Sequence, residues 1–452
     1  MISSETNRVK AEFRIFIPKG EDPVELWTLK LSSADSKKRN LSVFVYCQFQ
    51  FKYKWGFDSY GDMIYRNAVL DQERNALIAT KHPFRKPHDN LTGFIASDKK
   101  IIGFDGSRDA FVGTYNSLSN PKAVVEGHCT NTEGSADATI GTVEFISDGN
   151  ETIELIVGAG DVSLFSEKYF GKFNEYFSDV KERGEALYNL NKINTPDEHF
   201  NRLANGWIKQ ASHFGARWCR WGWNGYRDIV QQGLGVSAQN HKRTREILTE
   251  AFGYQYKNGL AIRGWNPIDE KPYSDSALWL VFTLISYLKE SGDIAFLNGE
   301  IAFYDGDSDT VLGHIKRSLN FLESNKGSHQ LLLIKFGDWN DSLTGVGKEG
   351  RGESVWLSQA YAYALELMAE LADFLSDEAL KADYISRREK IVDAINKNAW
   401  DGAWYRRCYD DKGDPIGSKE NKYAKIFMEP QCWALISGLA DGERAERVIQ
   451  SC

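Results

Sequence analysis

The sequence predicts a β + α chain in two main parts: an N-terminal antiparallel β-sandwich, a helical linker, and then an (α/α)6-type helical barrel. Three observations carry this prediction. Apolar and polar residues alternate up to about residue 160, the period of strands with one buried face. Beyond it the apolar spacing lengthens to that of helices. From residue 198 onward, polar loops rich in Gly, Trp and Asp separate one apolar helix from the next. The expected boundaries are 1–160 for the sandwich, 161–197 for the linker and 198–452 for the barrel. At about 150 residues per domain, a chain of 452 residues has room for two or three such parts.

Within the sandwich, residues 12–17 and 24–31 alternate, and 41–53 (LSVFVYCQFQFKY) does so most clearly. There Val43, Val45, Cys47, Phe49, Phe51 and Tyr53 share a face. Further strands are expected at 64–70, 75–79, 92–98, 139–147 and 152–157. Turn clusters such as Asp105-Gly106 and Asp148-Gly149-Asn150 punctuate them. Many short strands with turns between them point to a sandwich. Residues 176–190 carry charge at helical spacing and read as the linker helix. Asp275 could N-cap 276–290 (SALWLVFTLISYLKE), a run apolar almost all round and therefore an inner helix. Residues 309–324 are amphipathic, and 356–374 with 378–397 form an αα-hairpin. About eight or nine helices are expected after 198. A barrel of six hairpins needs twelve, so the barrel is expected to be incomplete at its C-terminal side.

Composition removes several classes of function. The balance of 55 Lys+Arg against 63 Asp+Glu gives a net charge of −8, without the dominant basic surface of a nucleic-acid binder. No apolar run approaches the roughly 18 residues of a membrane span. Six cysteines at 47, 129, 219, 408, 432 and 452 form no CxxC pair. Spread so thinly, they read as reduced thiols of a cytoplasmic protein. The eight histidines make no HxxxH or HExxH group, so no metal is expected. Of 13 tryptophans, 11 lie after residue 200. Indoles stack on sugar faces and carboxylates take hydroxyl hydrogen bonds, so Trp, Tyr and Asp together suit a carbohydrate site.

Four clusters could carry chemistry. In 336–343 (FGDWNDSL), Asp338 and Asp341 flank Trp339 and Asn340. At a spacing of three they would share one face of a helical turn. An indole and a second carboxylate beside an Asp would raise its pKa toward that of a general acid. An Asp N-cap, an Asx-turn and a core Trp would account for the same residues. In 220–232 (RWGWNGYRDIVQQ), Arg227 and Asp228 at a helix start could present an oriented carboxylate to a polyol, or form a structural salt bridge. In 263–275 (RGWNPIDEKPYSD), Trp265 and Asp275 are candidates. In 425–433 (KIFMEPQCW), Glu429 precedes Pro430, as at the opening of a helix.

The chain resembles the inverting cellobiose, chitobiose and β-glucan phosphorylases, glycoside hydrolase family 94. The resemblance runs in order through 108–135 (RDAFVGTYNSLSNPKAVVEGHCTNTEGS), 226–231 (YRDIVQ), 275–293, FGDWNDSL, 401–417 (DGAWYRRCYDDKGDPIG) and KIFMEPQ. It implies that Asp341 is the general acid, that Trp339 lines the sugar site and that Asp228 holds the hydroxyls of the transferred sugar. Arg227 and Gln231 occupy matching positions, and Asp338 and Trp265 complete the expected substrate-binding set. The family usually has a further Arg six residues before the Asp of the Arg-Asp pair; here that position is Gly222, with Arg220 nearest. Its second substrate-binding Glu, and the His and Thr that hold phosphate, would lie beyond Cys452, so a fragment of a longer enzyme is expected.

The resemblance further implies phosphorolysis of a β-linked gluco-disaccharide or oligosaccharide to an α-sugar 1-phosphate, a hexosyl transfer. Inorganic phosphate would be co-substrate, with no organic cofactor, and a homodimer is the family's common state. One carboxylic acid suffices when phosphate replaces both water and base, whereas inverting hydrolysis needs a second carboxylate. The alternatives are such a hydrolase on the same fold, with Glu429 or Glu353 as base, and a non-catalytic fragment.

Overall fold

The computed structural model describes all residues except 36, 50–65, 82–90, 135–138, 219–223, 266 and 277. The chain divides into two compact units, Met1–Ala186 and Leu187–Cys452.

The first unit is a sandwich of two antiparallel sheets. One sheet contains β1 (Ile2–Thr6), β2 (Val9–Phe16), β3 (Val24–Ser33), β5 (Arg66–Asp71), β6 (Ala76–Lys81), β7 (Leu91–Ser97) and β10 (Glu151–Ala159). Its spatial order is β1-β2-β3-β10-β7-β6-β5. The other has the order β4-β9-β8, with β4 at Leu41–Phe49, β8 at Gly103–Asp105 and β9 at Thr139–Ser147. Period-two burial explains the layering. On β10, Leu155 and Val157 face the second sheet, where Val45, Val143 and Phe145 meet them. Ile156 between them points the other way, into a cluster with Phe16, Leu26, Phe94, Val162, Phe165, Tyr169 and Phe173. The helix Val162–Tyr169, capped by Asp161, and the start of Phe173–Asn189 thus belong to the core of the sandwich. Of the face expected along 41–53, Val43, Cys47 and Phe49 pack around buried Val45; Phe51 and Tyr53 lie outside the described residues.

The second unit is helical, and its inner row decides where a site can form. Tyr226–Val236, Leu278–Ser291, Val355–Phe374 and Met428–Ile436 pack side by side in that order. Each is followed in the chain by an outer helix: His241–Phe252, Val311–Ser324, Glu378–Asn398 and Gly442–Ser451. The inner helix Leu278–Ser291 is buried nearly all round, as its unbroken apolar run requires. Val355–Phe374 is likewise mostly buried and is N-capped by Ser354, which accepts from the Leu357 amide. Outer helices bury one stripe only. Among the described residues ten α-helices follow residue 197, the first two joined by a π-helical segment at Leu203–Ile208. Because inner helices alternate with outer ones, all four inner N-termini point to one end. The loops before them gather there, together with a four-stranded antiparallel ribbon (332–333, 353–354, 408–409 and 415–416).

Candidate active site

The loop 336–343 is stapled to three inner helices. Asn340 donates to Glu429 at 2.6 Å, in the first turn of Met428–Ile436. Asp338 accepts from the Ser354 hydroxyl at 2.6 Å, at the cap of Val355–Phe374. Arg227, in the first turn of Tyr226–Val236, donates to the Asp338 carbonyl at 2.5 Å. The segment 272–274 runs alongside Gly337, where a Cβ would sit a tight 3.0 Å from the Tyr273 ring. Under the loop, Trp279, Trp339, Trp356 and Trp433 form a cluster with ring centroids 5.4 to 6.2 Å apart. Three of these indoles are buried, and Trp339 keeps 39% of its surface exposed.

Arg227 is the hub of the site. One guanidinium nitrogen approaches both oxygens of Asp275 at 3.3 and 3.4 Å; the other donates to Asp341 at 2.7 Å. Burial works against this cation, but the carboxylates of Asp275, Asp341 and Asp228 outweigh it and hold its pKa above the ordinary value. Asp275 is fully buried and also accepts from the Trp279 indole N–H at 3.0 Å. Burial pushes its carboxyl up to about 6; Arg227 opposes that shift and Asp338 adds to it. Among the described residues its side chain bonds Arg227 and the Trp279 indole rather than a backbone amide of the following helix, where the sequence suggested a cap.

Asp341 and Asp228 line one cleft with Arg227, Arg263, Tyr273 and Ser276. The cleft is narrow and opens to solvent. Asp341 opens a single 3-10 turn capped by Asn340, and its side chain is 67% exposed. This corrects the expected picture of an indole-shielded carboxyl with a second carboxylate beside it. The two aspartates do not share a face, because the chain turns between them. Asp338 instead points inward with 0% exposure and pairs at 2.7 Å with Arg407, itself fully buried. The carboxylate of Asp338 is saturated by Arg407, Ser354 and the Asn340 amide, so it is not free to bind a sugar in this arrangement.

The other expected residues divide similarly. Trp265 is 3% exposed, stacks on Tyr254 with centroids 4.7 Å apart and gives its N–H to Glu250 at 2.8 Å. It is a core residue, not a platform for substrate. Gln231 lies half-buried one turn after Asp228 and does not line the cleft. Gly222 and Arg220 lie outside the described residues. Of the rival carboxylates, Glu353 is 2% exposed and ties down the amides of His329 and Leu331 and the His329 ring; Glu429 is held by Asn340. Arg263, Tyr273, Ser276 and Arg407 were not singled out from sequence. The Tyr273 ring lies beneath two guanidinium groups, those of Arg227 at 5.3 Å and Arg263 at 4.7 Å, an arrangement no local spacing reveals.

Residues 185–452 match the catalytic domain of the glycosyl hydrolase 94 superfamily, and residues 1–147 match the supersandwich domain of glycosyl hydrolase 94. The chain belongs to glycosyl hydrolase family 94. Among its family 94 relatives, the solabiose phosphorylase of Paenibacillus borealis is 33% identical over 98% of this chain and 59% of its own length. The 3-O-beta-D-glucopyranosyl-beta-D-glucuronide phosphorylase of the same organism is 25% identical over 99% of this chain and 60% of its own. The N,N'-diacetylchitobiose phosphorylase of Vibrio furnissii is 26% identical over 98% of this chain and 61% of its own. This family 94 chain thus spans about three fifths of the length of these relatives. A bacterial glucoamylase solved with acarbose shares the fold, with a TM-score of 0.59 at 12% identity over 98% of this chain and 65% of its own. The sandwich-then-helical-barrel architecture read from periodicity is the one observed, and the family resemblance stands.

Proposed function

We propose that this chain carries the sugar-binding and acid-donating part of an inverting phosphorylase that cleaves a β-linked gluco-disaccharide or oligosaccharide. The observation that carries the reading is that Asp341 and Asp228 line one cleft at the N-terminal ends of the inner helices. Asp228 accepts hydroxyl hydrogen bonds of the transferred sugar. Asp341 gives its proton to the bridging oxygen as the anomeric C–O bond breaks. A phosphate oxygen forms the new bond to the anomeric carbon from the opposite face, and an α-sugar 1-phosphate leaves with the shortened sugar. Phosphate arrives as an anion, so no carboxylate base is required. The four inner helix N-termini face the same end and favour an anion there. Glu353, 2% exposed and bonded to the His329 and Leu331 amides and the His329 ring, is not free to activate water, which disfavours the hydrolytic alternative with Glu353 as base.

The three relatives described above are phosphorylases that differ in the sugar cleaved, which fits a shared chemistry with variable acceptor contacts. The five described cysteines are all free thiols, consistent with a reducing compartment, and no helix among the described residues is long and apolar enough to cross a membrane. We place the enzyme in the cytoplasm on the first of these grounds.

The test is product analysis. The full chain is incubated with β-linked disaccharides with and without inorganic phosphate. Sugar 1-phosphate that forms only with phosphate is the expected result. Release of two free sugars at equal rates in both conditions makes the protein a hydrolase and overturns the reading.

A further inference from the structure

Arg227 stands between two carboxylates of opposite character. Asp341, on the solvent side, is 67% exposed, and Asp275 behind it is fully buried. The contact to Asp341 is short at 2.7 Å, while those to Asp275 are long at 3.3 and 3.4 Å. A general acid must hold a proton, and here the Arg227 guanidinium occupies the carboxyl that would have to hold it. The same pair spans the cleft that Asp228 lines. Both the carboxyl and the cleft are freed if the guanidinium withdraws from Asp341.

We propose that Asp275 is a positioning residue that acts through Arg227, offering the guanidinium a second anionic partner so that it can release Asp341 when sugar enters. The inference rests on the reading of Asp341 as the acid. In the empty cleft the cation sits on Asp341. Incoming sugar strips water from Asp341, which disfavours its ionised form. Arg227 then closes on Asp275, which ionises against it, and Asp341 takes up a proton. Where Asp275 is protonated, at and below the pH near 6 at which it titrates, it loses one proton as Asp341 gains one; above that pH Asp341 takes its proton from solvent. Asp275 is suited to this exchange because burial leaves its carboxyl titrating near 6. The other groups facing the pair are named by the same geometry. Asp228 adds to the field on Arg227; Tyr273 and Arg263 lie on its outer side. Asp338, paired with Arg407, also faces Asp275 and adds to the upward push on its carboxyl, and the Trp279 N–H is the remaining partner.

Two measurements on the full chain test this. The first needs neither activity nor sugar. The Asp275 carboxyl is followed by 13C NMR through a pH titration. Asp341→Asn frees Arg227 for Asp275, so the Asp275 midpoint moves to lower pH by about one unit; with Arg227→Gln in the background the displacement disappears. An unmoved midpoint in Asp341→Asn overturns the proposal, as does an equal displacement without Arg227. The second is kinetic. Asp275→Asn keeps the shape and the Trp279 contact but denies Arg227 its alternative anion. Turnover falls at least roughly tenfold, KM stays within about twofold of the parent's, and the optimum moves to lower pH, where Asp341 protonates directly. Parental kcat and optimum overturn the proposal. So does a fall in melting temperature with kcat and KM both affected and the optimum fixed, which marks a purely structural role. Failure of the unsubstituted chain to release sugar 1-phosphate counts against the proposed function alone, and the titration still decides whether the cation is shared.

Discussion

Two aspartates three residues apart in one loop meet opposite fates. Asp338 is fully buried, pairs with a fully buried Arg407 and is saturated by three donors. Asp341 is two-thirds exposed, pairs with Arg227 and faces a cleft shared with Asp228. Residue type is the same and both partners are arginines. What differs is the environment: the first pair sits among the capped ends of inner helices, the second at their mouth. The comparison teaches that an Asp-Trp-Asn-Asp motif holds a buried clamp at its first aspartate and presents its second to a cleft, the place that the proposed acid requires.

The largest expected effect on stability lies on the buried side. Arg407→Met leaves Asp338 as an uncompensated buried charge, a loss of about 3–5 kcal/mol. Chemical denaturation should show it, with activity lost only in proportion to folded protein. If the variant is as stable as its parent, the clamp half of the comparison is wrong. Next comes the pH dependence of stability. The folded state holds the Asp275 carboxyl up near 6 against an ordinary 3.8, so between those values the folded chain binds more protons than the unfolded one. Stability is then greatest below pH 4 as far as this group is concerned and falls as pH rises through 6. The contribution is about 3 kcal/mol at most. Asp275→Asn should flatten that slope in denaturation series at stepped pH; an unchanged slope removes Asp275 from the account. On the exposed side, Asp228→Asn should weaken sugar binding by about 1.5–3 kcal/mol, the scale of a charged hydrogen bond, with little change in melting temperature. Calorimetric titration with the sugar checks it. The smallest effect is expected at Trp339, whose indole is only partly exposed. Trp339→Phe should cost about 0.5–1.5 kcal/mol of stacking, split between sugar affinity and the indole cluster beneath, and the same titration reads the first share.

Much of the architecture was legible because it rests on periodicity. The alternation along 152–157 places Leu155 and Ile156 in opposite clusters, and the apolar run after Asp275 is a buried inner helix. Strands β1 and β8 escaped notice, the first because its residues are exposed throughout and the second because three residues carry no period. Collinear motifs also brought Asp341, Asp228 and Arg227 together. What the sequence could not show is direction. Spacing of three suggested one face for Asp338 and Asp341, but the turn between them sends one inward. Trp265 looked like a sugar platform by composition, yet tertiary packing gives its N–H to Glu250 and its face to Tyr254. Arg407 and Asp338 are 69 residues apart, and nothing local marks one as the other's partner.

The account stands most directly on the proton at position 341. The measurement is 31P NMR of the full chain with disaccharide and phosphate, run beside Asp341→Asn at matched melting temperature. The account predicts an α-sugar 1-phosphate signal from the parent and a rate lower by about 10²–10⁴-fold in the variant, with sugar binding retained. A variant that forms the product at nearly the parental rate contradicts it.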